Sequence, residues 1–439
     1  MNLVAQLWRY FTKVYDLPRR LQAVRDTRVY PEIPTSSVSA VLFLGAVLRL
    51  PSFRQMAQDS GRAGWRRLLK LDAPLRDDLM GYVVERYRLE DWREILVSTN
   101  KTLKRNRAFE GAKIKGLLVV SIDANEQFNS RHRCCEACCR RKVKIRNRAG
   151  QEVEVDEFYH RMVYASVQGV DFCVVLEVEP IRPGEDEAAA ALRMLGRMRR
   201  LYGPRFFDVV TVDAWYTKTP FVRAVRRLGW GVVSVLKQER FTAYQEASTL
   251  AAAEKAECFD WEERQIALRE VRDLTLAEEG HEPVRVVLAD ENWIQTNRIA
   301  GRRVRTPTQS HWRWIASPEL DAYPKQVVWR IGHQRWAIEN HVFNELTQHY
   351  HLEHCPHHHP VAIIAWLLIL VLGFNLFEVF ARLHGKLWQS GKVSLQELAL
   401  RLDRSLEHPD QLMPLWKRMT FHLPPSRSTG VPFFDIFPN

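Results

Sequence analysis

Apolar and polar positions change rhythm along this chain. Through about residue 112 the spacing is helical: Leu79, Met80, Val83, Val84, Tyr87, Trp92, Ile95 and Leu96 fall near a 3.6 period, with Arg and acidic residues on the other face. This predicts a helical N-terminal region over 1–112. Within it Ser36–Leu69, broken at Pro51 and Gly61, has the layout of a helix-turn-helix or of a helical cap packed on the next domain. At Lys115 the rhythm shortens. Gly116–Asp123 reads as a buried strand ending in a carboxylate, and Phe158–Val167 and Phe172–Val178 as two more strands. Glu185–Arg200 reads as a helix, with acids in its first turn and arginines in its last. Phe207–Asp213 is a strand ending in a second Asp, Thr219–Leu228 a helix, and Gly231–Leu236 a strand.

Three strands, a helix, a strand, a helix and a strand make a mixed α/β sheet of ribonuclease H-like order, flanked by helices. Between 239 and 324 the texture turns β-rich, with strands expected at Ile266–Leu276, Pro283–Leu288 and Trp312–Ala316. We read this as an insertion dividing a core of 113–238 and 325–385. Helical spacing returns at Gln326–Gln348. A C-terminal helix and a loosely ordered tail from Leu423 fill 386–439.

Val361–Phe374 is a run of 14 residues without a polar side chain, interrupted after it by Asn375 and Glu378. That suits a buried core helix and is short of the roughly 20 residues needed to span a bilayer. No membrane association is expected. The 64 Lys+Arg against 52 Asp+Glu give a net charge of +12, which points to a polyanionic partner, most simply nucleic acid. The first residues lack the apolar stretch of a secretory signal, and four of the seven cysteines crowd into 134–139. A reducing, cytoplasmic setting fits this better than a disulfide framework.

Asp123 and Asp213 each close a strongly apolar stretch, where an unpaired carboxylate is costly. If their strands are neighbours, both carboxylates lie at one edge of the sheet, close enough to share divalent cations, and oxygen ligands suit magnesium or manganese. A third carboxylate is available from Glu339, in the helix reading Arg335-Trp336-Ala337-Ile338-Glu339-Asn340. Arg335 and Glu339 are four apart on one helical face. They make either an ordinary surface pair or a metal ligand beside a phosphate-gripping arginine.

These residues resemble the DDE transposases of bacterial insertion sequences, in particular the IS-four-like group, whose ribonuclease H-like fold carries a β-strand insertion. Ninety residues separate the aspartates and 126 separate Asp213 from Glu339, with the insertion in the second gap. The family's last carboxylate lies in a helix reading Tyr, two residues, Arg, three residues, Glu, six residues, Lys. Arg335 and Glu339 keep that interval, while Gly332 stands at the Tyr position and Leu346 at the Lys position. The resemblance implies catalysis by Asp123, Asp213 and Glu339 holding two Mg2+ ions, with Mn2+ as a substitute. It further implies cleavage at terminal inverted repeats, strand transfer into target DNA, a homodimer or larger synaptic assembly, and a bacterial, nucleoid-associated location. A ribonuclease H-like nuclease without strand transfer, or a DNA-binding relic without catalysis, are the alternatives.

Further residues are candidates for DNA contact. Arg131–Arg148 carries eight Lys/Arg, including Arg140, Arg141 and Lys142, and reads as a phosphate-tracking loop beside Asp123. Lys237 follows the last core strand. An insertion-domain aromatic stacks on an unpaired base in related transposases, and Trp293, in a polar Asp-Glu-Asn-Trp context, suits that role better than Trp312 or Trp314. Cys134, Cys135, Cys138 and Cys139 include a Cys-x2-Cys interval of the kind that binds structural zinc. His132, His354, Cys355, His357, His358 and His359 are the available completing ligands, and packing or free thiols are the other reading.

Overall fold

The computed structural model describes residues 3–148, 150–169, 172–299, 302–384 and 393–407. Seven helices come first: α1 (Leu3–Tyr15), α2 (Leu17–Gln22), α3 (Thr35–Val47), α4 (Phe53–Ser60), α5 (Ala63–Leu69), α6 (Asp77–Val84) and α7 (Leu89–Arg105). Pro51 cannot continue α3, and the Ser52 hydroxyl starts α4 by accepting the Gln55 N–H at 3.2 Å. Val38, Val41, Leu42, Phe43, Leu44 and Val47 of α3 are all fully buried.

The sheet follows: β1 (Val119–Ser130), β2 (Cys139–Arg146), β3 (Glu152–Gln168), β4 (Cys173–Ile181), α8 (Glu187–Tyr202), β5 (Val209–Val212), α9 (Thr219–Arg227) and β6 (Gly231–Val235). β4, β3 and β1 are antiparallel, whereas β1, β5 and β6 run parallel. The order β4-β3-β1-β5-β6 is the ribonuclease H-like arrangement expected from the strand and helix sequence. One expectation needs correcting. Asp123 lies inside β1 rather than at its end, because pairing with β3 carries the strand on through the polar Asn125, Glu126 and Gln127.

After α10 (Thr242–Leu250) come β7 (Glu257–Trp261), β8 (Arg264–Leu276), β9 (Glu282–Ile299) and β10 (Arg302–Ala316). These four antiparallel strands do not form a detached module. Trp314, Ile315 and Ala316 of β10 pair with Val235, Ser234 and Val233 of β6, giving one continuous ten-stranded sheet.

The chain then returns through α11 (Lys325–Gln334), a π-helical turn at Ile338–Phe343 and α12 (Asn344–Tyr350), followed by α13 (Pro360–His384) and α14 (Leu395–Ser405). The tail from Leu423 lies outside the described residues. α13 is long and apolar enough to cross a membrane, but most of its apolar length is buried within the protein. It packs on α3, α7 and β4. At the α3 crossing a Cβ on Gly373 would sit 3.0 Å from the Ala46 Cβ and 3.2 Å from backbone, so glycine lets the two helices approach this closely without α3 giving way by a few tenths of an ångström. Asn375, which interrupts the apolar run, hydrogen-bonds the backbone of β4. Its Oδ1 accepts the Val175 N–H at 2.8 Å and its Nδ2 donates to the Val175 carbonyl at 2.7 Å. A helix side chain thus stands where a further strand would pair.

Candidate active site

The strands that carry the two aspartates are neighbours. Val119, Val120 and Ser121 lie opposite Val209, Val210 and Thr211 on adjacent parallel strands, an offset of ninety. The same offset carries Asp123 level with Asp213, which ends the β5 stretch and caps the following 3-10 turn by accepting the Trp215 N–H at 2.8 Å. Neighbouring strands lie about 4.8 Å apart, and in parallel strands residues at one level face the same side.

Glu339 comes to Asp123 from the helical layer. It sits in the π-helical turn, a widened, underwound geometry that recurs at functional sites and re-aims a side chain. Arg335 lies between the two acids, its Nη1 donating to Asp123 Oδ2 at 2.9 Å and Glu339 Oε1 at 2.7 Å. The Arg335 and Asp123 side chains are buried, while the Glu339 carboxylate is 49% exposed. Burial and the hydrogen bond with Glu339 push Asp123 up to about 7, although Arg335 acts against this. Burial also opposes ionisation of Glu339, but Arg335, Asp123 and Lys237 together bring it below the ordinary carboxylate range. One guanidinium is thus divided between two carboxylates, and its buried Nε has no hydrogen-bond partner among the described residues. A donor set made only of carboxylate oxygens with incomplete charge compensation fits a hard divalent cation. The residues present therefore suit the metal implied by the pattern.

Around Asp213 the structure adds residues the sequence reading did not single out. Glu187, at the start of α8, pairs with Arg161 and accepts the buried Tyr216 hydroxyl at 2.7 Å. Burial raises the Glu187 pKa, and the negative charge of Asp213 adds to that. Trp215, directly after Asp213, is 55% exposed, with its Nε1 donating to Asp186 at 3.1 Å. An exposed indole beside a candidate ligand could have been suspected from its adjacency to Asp213.

The departures at 332 and 346 have steric causes. A Cβ on Gly332 would come within 2.3 Å of Trp314 Nε1, so the Trp314 indole fills the space a larger residue would need. Leu346 is fully buried, leaving no room for a solvated ammonium. Lys237 is exposed and near enough to Glu339 to lower its pKa.

The basic stretch is not a loop: β2 forms a hairpin with β3, and most of its charges are matched across the strands. Arg141 pairs with Glu126 at 2.7 Å and Glu157 at 2.6 Å, Lys142 with Asp156 at 3.0 Å, and Lys144 with Glu152 at 2.8 Å. Arg140 also pairs with Asp156. Alternation along the strand placed acids opposite bases, which a count of basic residues in 131–148 could not reveal.

Trp293 lies on β9 under the Arg264 guanidinium, 4.3 Å from its ring centroid. It lines a groove with Gln265, Asn292 and Thr308, not the neighbouring cleft that Glu291 and Gln334 help to line. That cleft, of about 370 Å³, is lined by Trp261, Trp329, His333 and Trp336. Trp312 meets Trp336 edge-on at 4.5 Å, so the insertion reaches the helix that carries Arg335 and Glu339 through Trp312. In the cysteine cluster, Cys135 and Cys138 converge with His160 and His358. Cys134 is exposed, and Cys139 Sγ points to the Ile181 carbonyl at 3.9 Å. His160, alone on a β-strand, carries no sequence signal as a ligand.

Residues 174–376 match the transposase DDE domain family, a segment that contains Asp213 and Glu339 but begins after Asp123. Among curated proteins none matches the chain. Among solved structures the chain is similar to a piggyBac transposase, determined by cryo-EM as a synaptic complex with hairpin DNA. The identity is 12% and the TM-score 0.38, over 95% of this chain and 82% of that one.

Proposed function

We propose that the chain is a DNA transposase of the DDE type, using Asp123, Asp213 and Glu339 to hold two divalent ions, Mg2+ in the first instance. The observations that support this reading are the parallel pairing of β1 with β5 at an offset of ninety residues and the joining of Glu339 to Asp123 through Arg335. The transposase DDE domain match over 174–376 supports it independently. Divalent ions at such a site supply Lewis acidity for activating water or a 3′-hydroxyl and for stabilising the leaving oxygen in phosphodiester displacement.

The chain's own residues perform the remaining tasks. Arg335 balances the carboxylates and has spare guanidinium donors for a non-bridging phosphate oxygen. Lys237 adds exposed positive charge beside Glu339. The β2–β3 ribbon offers Arg140, Arg141 and Lys142, whose surface ion pairs are weak enough to be exchanged for phosphates. On this reading the substrates are terminal inverted repeats and target DNA, the working form is a homodimer or larger synaptic assembly, and the setting is a bacterial cytoplasm as in the IS-four-like group.

The test is cleavage of labelled DNA bearing the gene's flanking sequences, with and without Mg2+, by wild type and Glu339→Gln. Metal-dependent nicking at a defined end, abolished in the variant, is expected. Cleavage by the variant at wild-type rate would remove Glu339 from the site. Nicking without joining of the 3′ end to target DNA would indicate a nuclease, and end binding without nicking a DNA-binding relic.

A further inference from the structure

Away from the carboxylates, four side chains from three separated segments converge. Cys135 and Cys138 come from the β1–β2 connection, His160 from β3, and His358 from the segment before α13. Their ligand atoms lie at near-uniform separations: Cys135 Sγ to Cys138 Sγ 3.7 Å, Cys135 Sγ to His160 Nε2 3.5 Å, Cys138 Sγ to His160 Nε2 3.2 Å, Cys138 Sγ to His358 Nε2 3.3 Å, and His160 Nε2 to His358 Nε2 3.2 Å.

Five of the six pairwise separations match the edges of a metal tetrahedron, and the sixth, Cys135 Sγ to His358 Nε2, is within 4.8 Å. Zn–S bonds of about 2.3 Å and Zn–N bonds of about 2.0–2.1 Å, set at tetrahedral angles, require edges of about 3.8 Å for S–S, 3.5 Å for S–N and 3.3 Å for N–N. All five separations lie within about 0.3 Å of those values. A Cys135–Cys138 disulfide would need the sulfurs about 2.0 Å apart, so the pair is not geometrically a bond. The Cys135 N–H donates to Cys138 Sγ at 3.2 Å, and the Cys138 N–H donates to the Cys135 carbonyl at 3.1 Å, closing the turn that brings the two sulfurs together.

We infer that Cys135, Cys138, His160 and His358 form a structural zinc site. Four protein ligands leave no open position, so its role is to fasten and not to catalyse. It pins the β1–β2 connection and the approach to α13 onto β3. Asp123 lies four residues before Gln127, the partner of His160, which separates the zinc from the carboxylates by on the order of 13 Å along the strand.

The test measures zinc in the full-length protein after dialysis against metal-free buffer, together with absorption after cobalt replacement. Wild type should retain about one zinc per chain and give the intense bands of tetrahedral cobalt with thiolate ligands. Cys134→Ser, Cys139→Ser and Glu339→Gln should retain it equally. Cys138→Ser and His160→Ala should retain at least tenfold less. A wild type with under about a tenth of an ion per chain, or equal loss in Cys134→Ser, would overturn the site. If Cys138→Ser does not fold, the wild-type cobalt spectrum decides, since a reading without thiolate bands also overturns it. None of these readouts depends on DNA cleavage.

Discussion

Two buried acids in one sheet are treated in opposite ways. Glu291, on β9, is fully enclosed and accepts from His333 Nε2 at 2.6 Å, Trp329 Nε1 at 2.8 Å and Arg264 at 2.9 Å. Burial pushes it up, but these donors outweigh burial and leave its pKa below the ordinary value of 4.5. Asp123, by contrast, shares a single guanidinium with Glu339 and is pushed up to about 7. Glu291, on an insertion strand, is given enough donors by Arg264 of β8 and by Trp329 and His333 of α11, whereas Asp123 and Glu339 are left short of positive charge. A satisfied acid serves the fold. An undercompensated group of acids is the arrangement expected where charge is to come from a bound cation.

The largest effect should come from the undercompensated side. Asp123→Asn is expected to reduce Mg2+-dependent cleavage at least about a thousandfold, equivalent to about 4 kcal/mol of transition-state stabilisation, without lowering the thermal midpoint. A marked loss of thermal stability would mean that Asp123 is structural like Glu291, and the contrast would fail. Glu291→Gln should do the reverse, costing about 1–3 kcal/mol in denaturant unfolding because the charge facing Arg264 is lost and one of the two acceptor oxygens becomes a donor NH2.

Steric fit around the helix that leads into Arg335 comes next. Gly332→Ala should cost about 1–3 kcal/mol through collision with Trp314, measured in the same way, and Gly332→Ala combined with Trp314→Leu should recover part of it. The pH dependence sharpens the contrast further. Because the folded pKa of Glu291 is depressed, its stabilisation is present above about pH 4.5 and is lost as pH falls through the folded value. The stability gap between wild type and Glu291→Gln should therefore narrow in acid, and a gap constant down to the lowest folded pH would contradict the assignment.

The smallest effect on stability belongs to the ribbon. Lys142→Ala should change unfolding by under about 1 kcal/mol, since its pair with Asp156 is exposed. If Lys142 meets a phosphate, the same variant should reduce the slope of log affinity against log salt by about 0.9.

Legibility in the sequence followed the range of the interaction. The core strand order could be read because short apolar runs and amphipathic helices are local signals, and the ninety-residue spacing of Asp123 and Asp213 became a register once their strands were neighbours. The polar continuation of β1 past Asp123 was hidden because its pairing with β3 depends on residues about 40 positions away. The neutralised ribbon was hidden for the same reason: Arg141 faces Glu157 only through the hairpin. The continuity of the sheet rests on three residue pairs between β6 and β10, distant in sequence and unremarkable in composition. His160 shows the limit most clearly, since its significance arises only where Cys135, Cys138 and His358 meet it.

The pairing of Asn375 with Val175 has a consequence for the order of synthesis. The two residues are 200 positions apart. At about 5–20 residues per second, a ribosome needs about 10–40 s to reach Asn375 after completing β4. Throughout that interval the outer backbone of β4 has no native partner from α13, and an unpaired edge can recruit a strand from another nascent chain. Expression yield should therefore respond to translation speed and chaperone supply, and truncations ending before residue 375 should aggregate even with every strand of the sheet present.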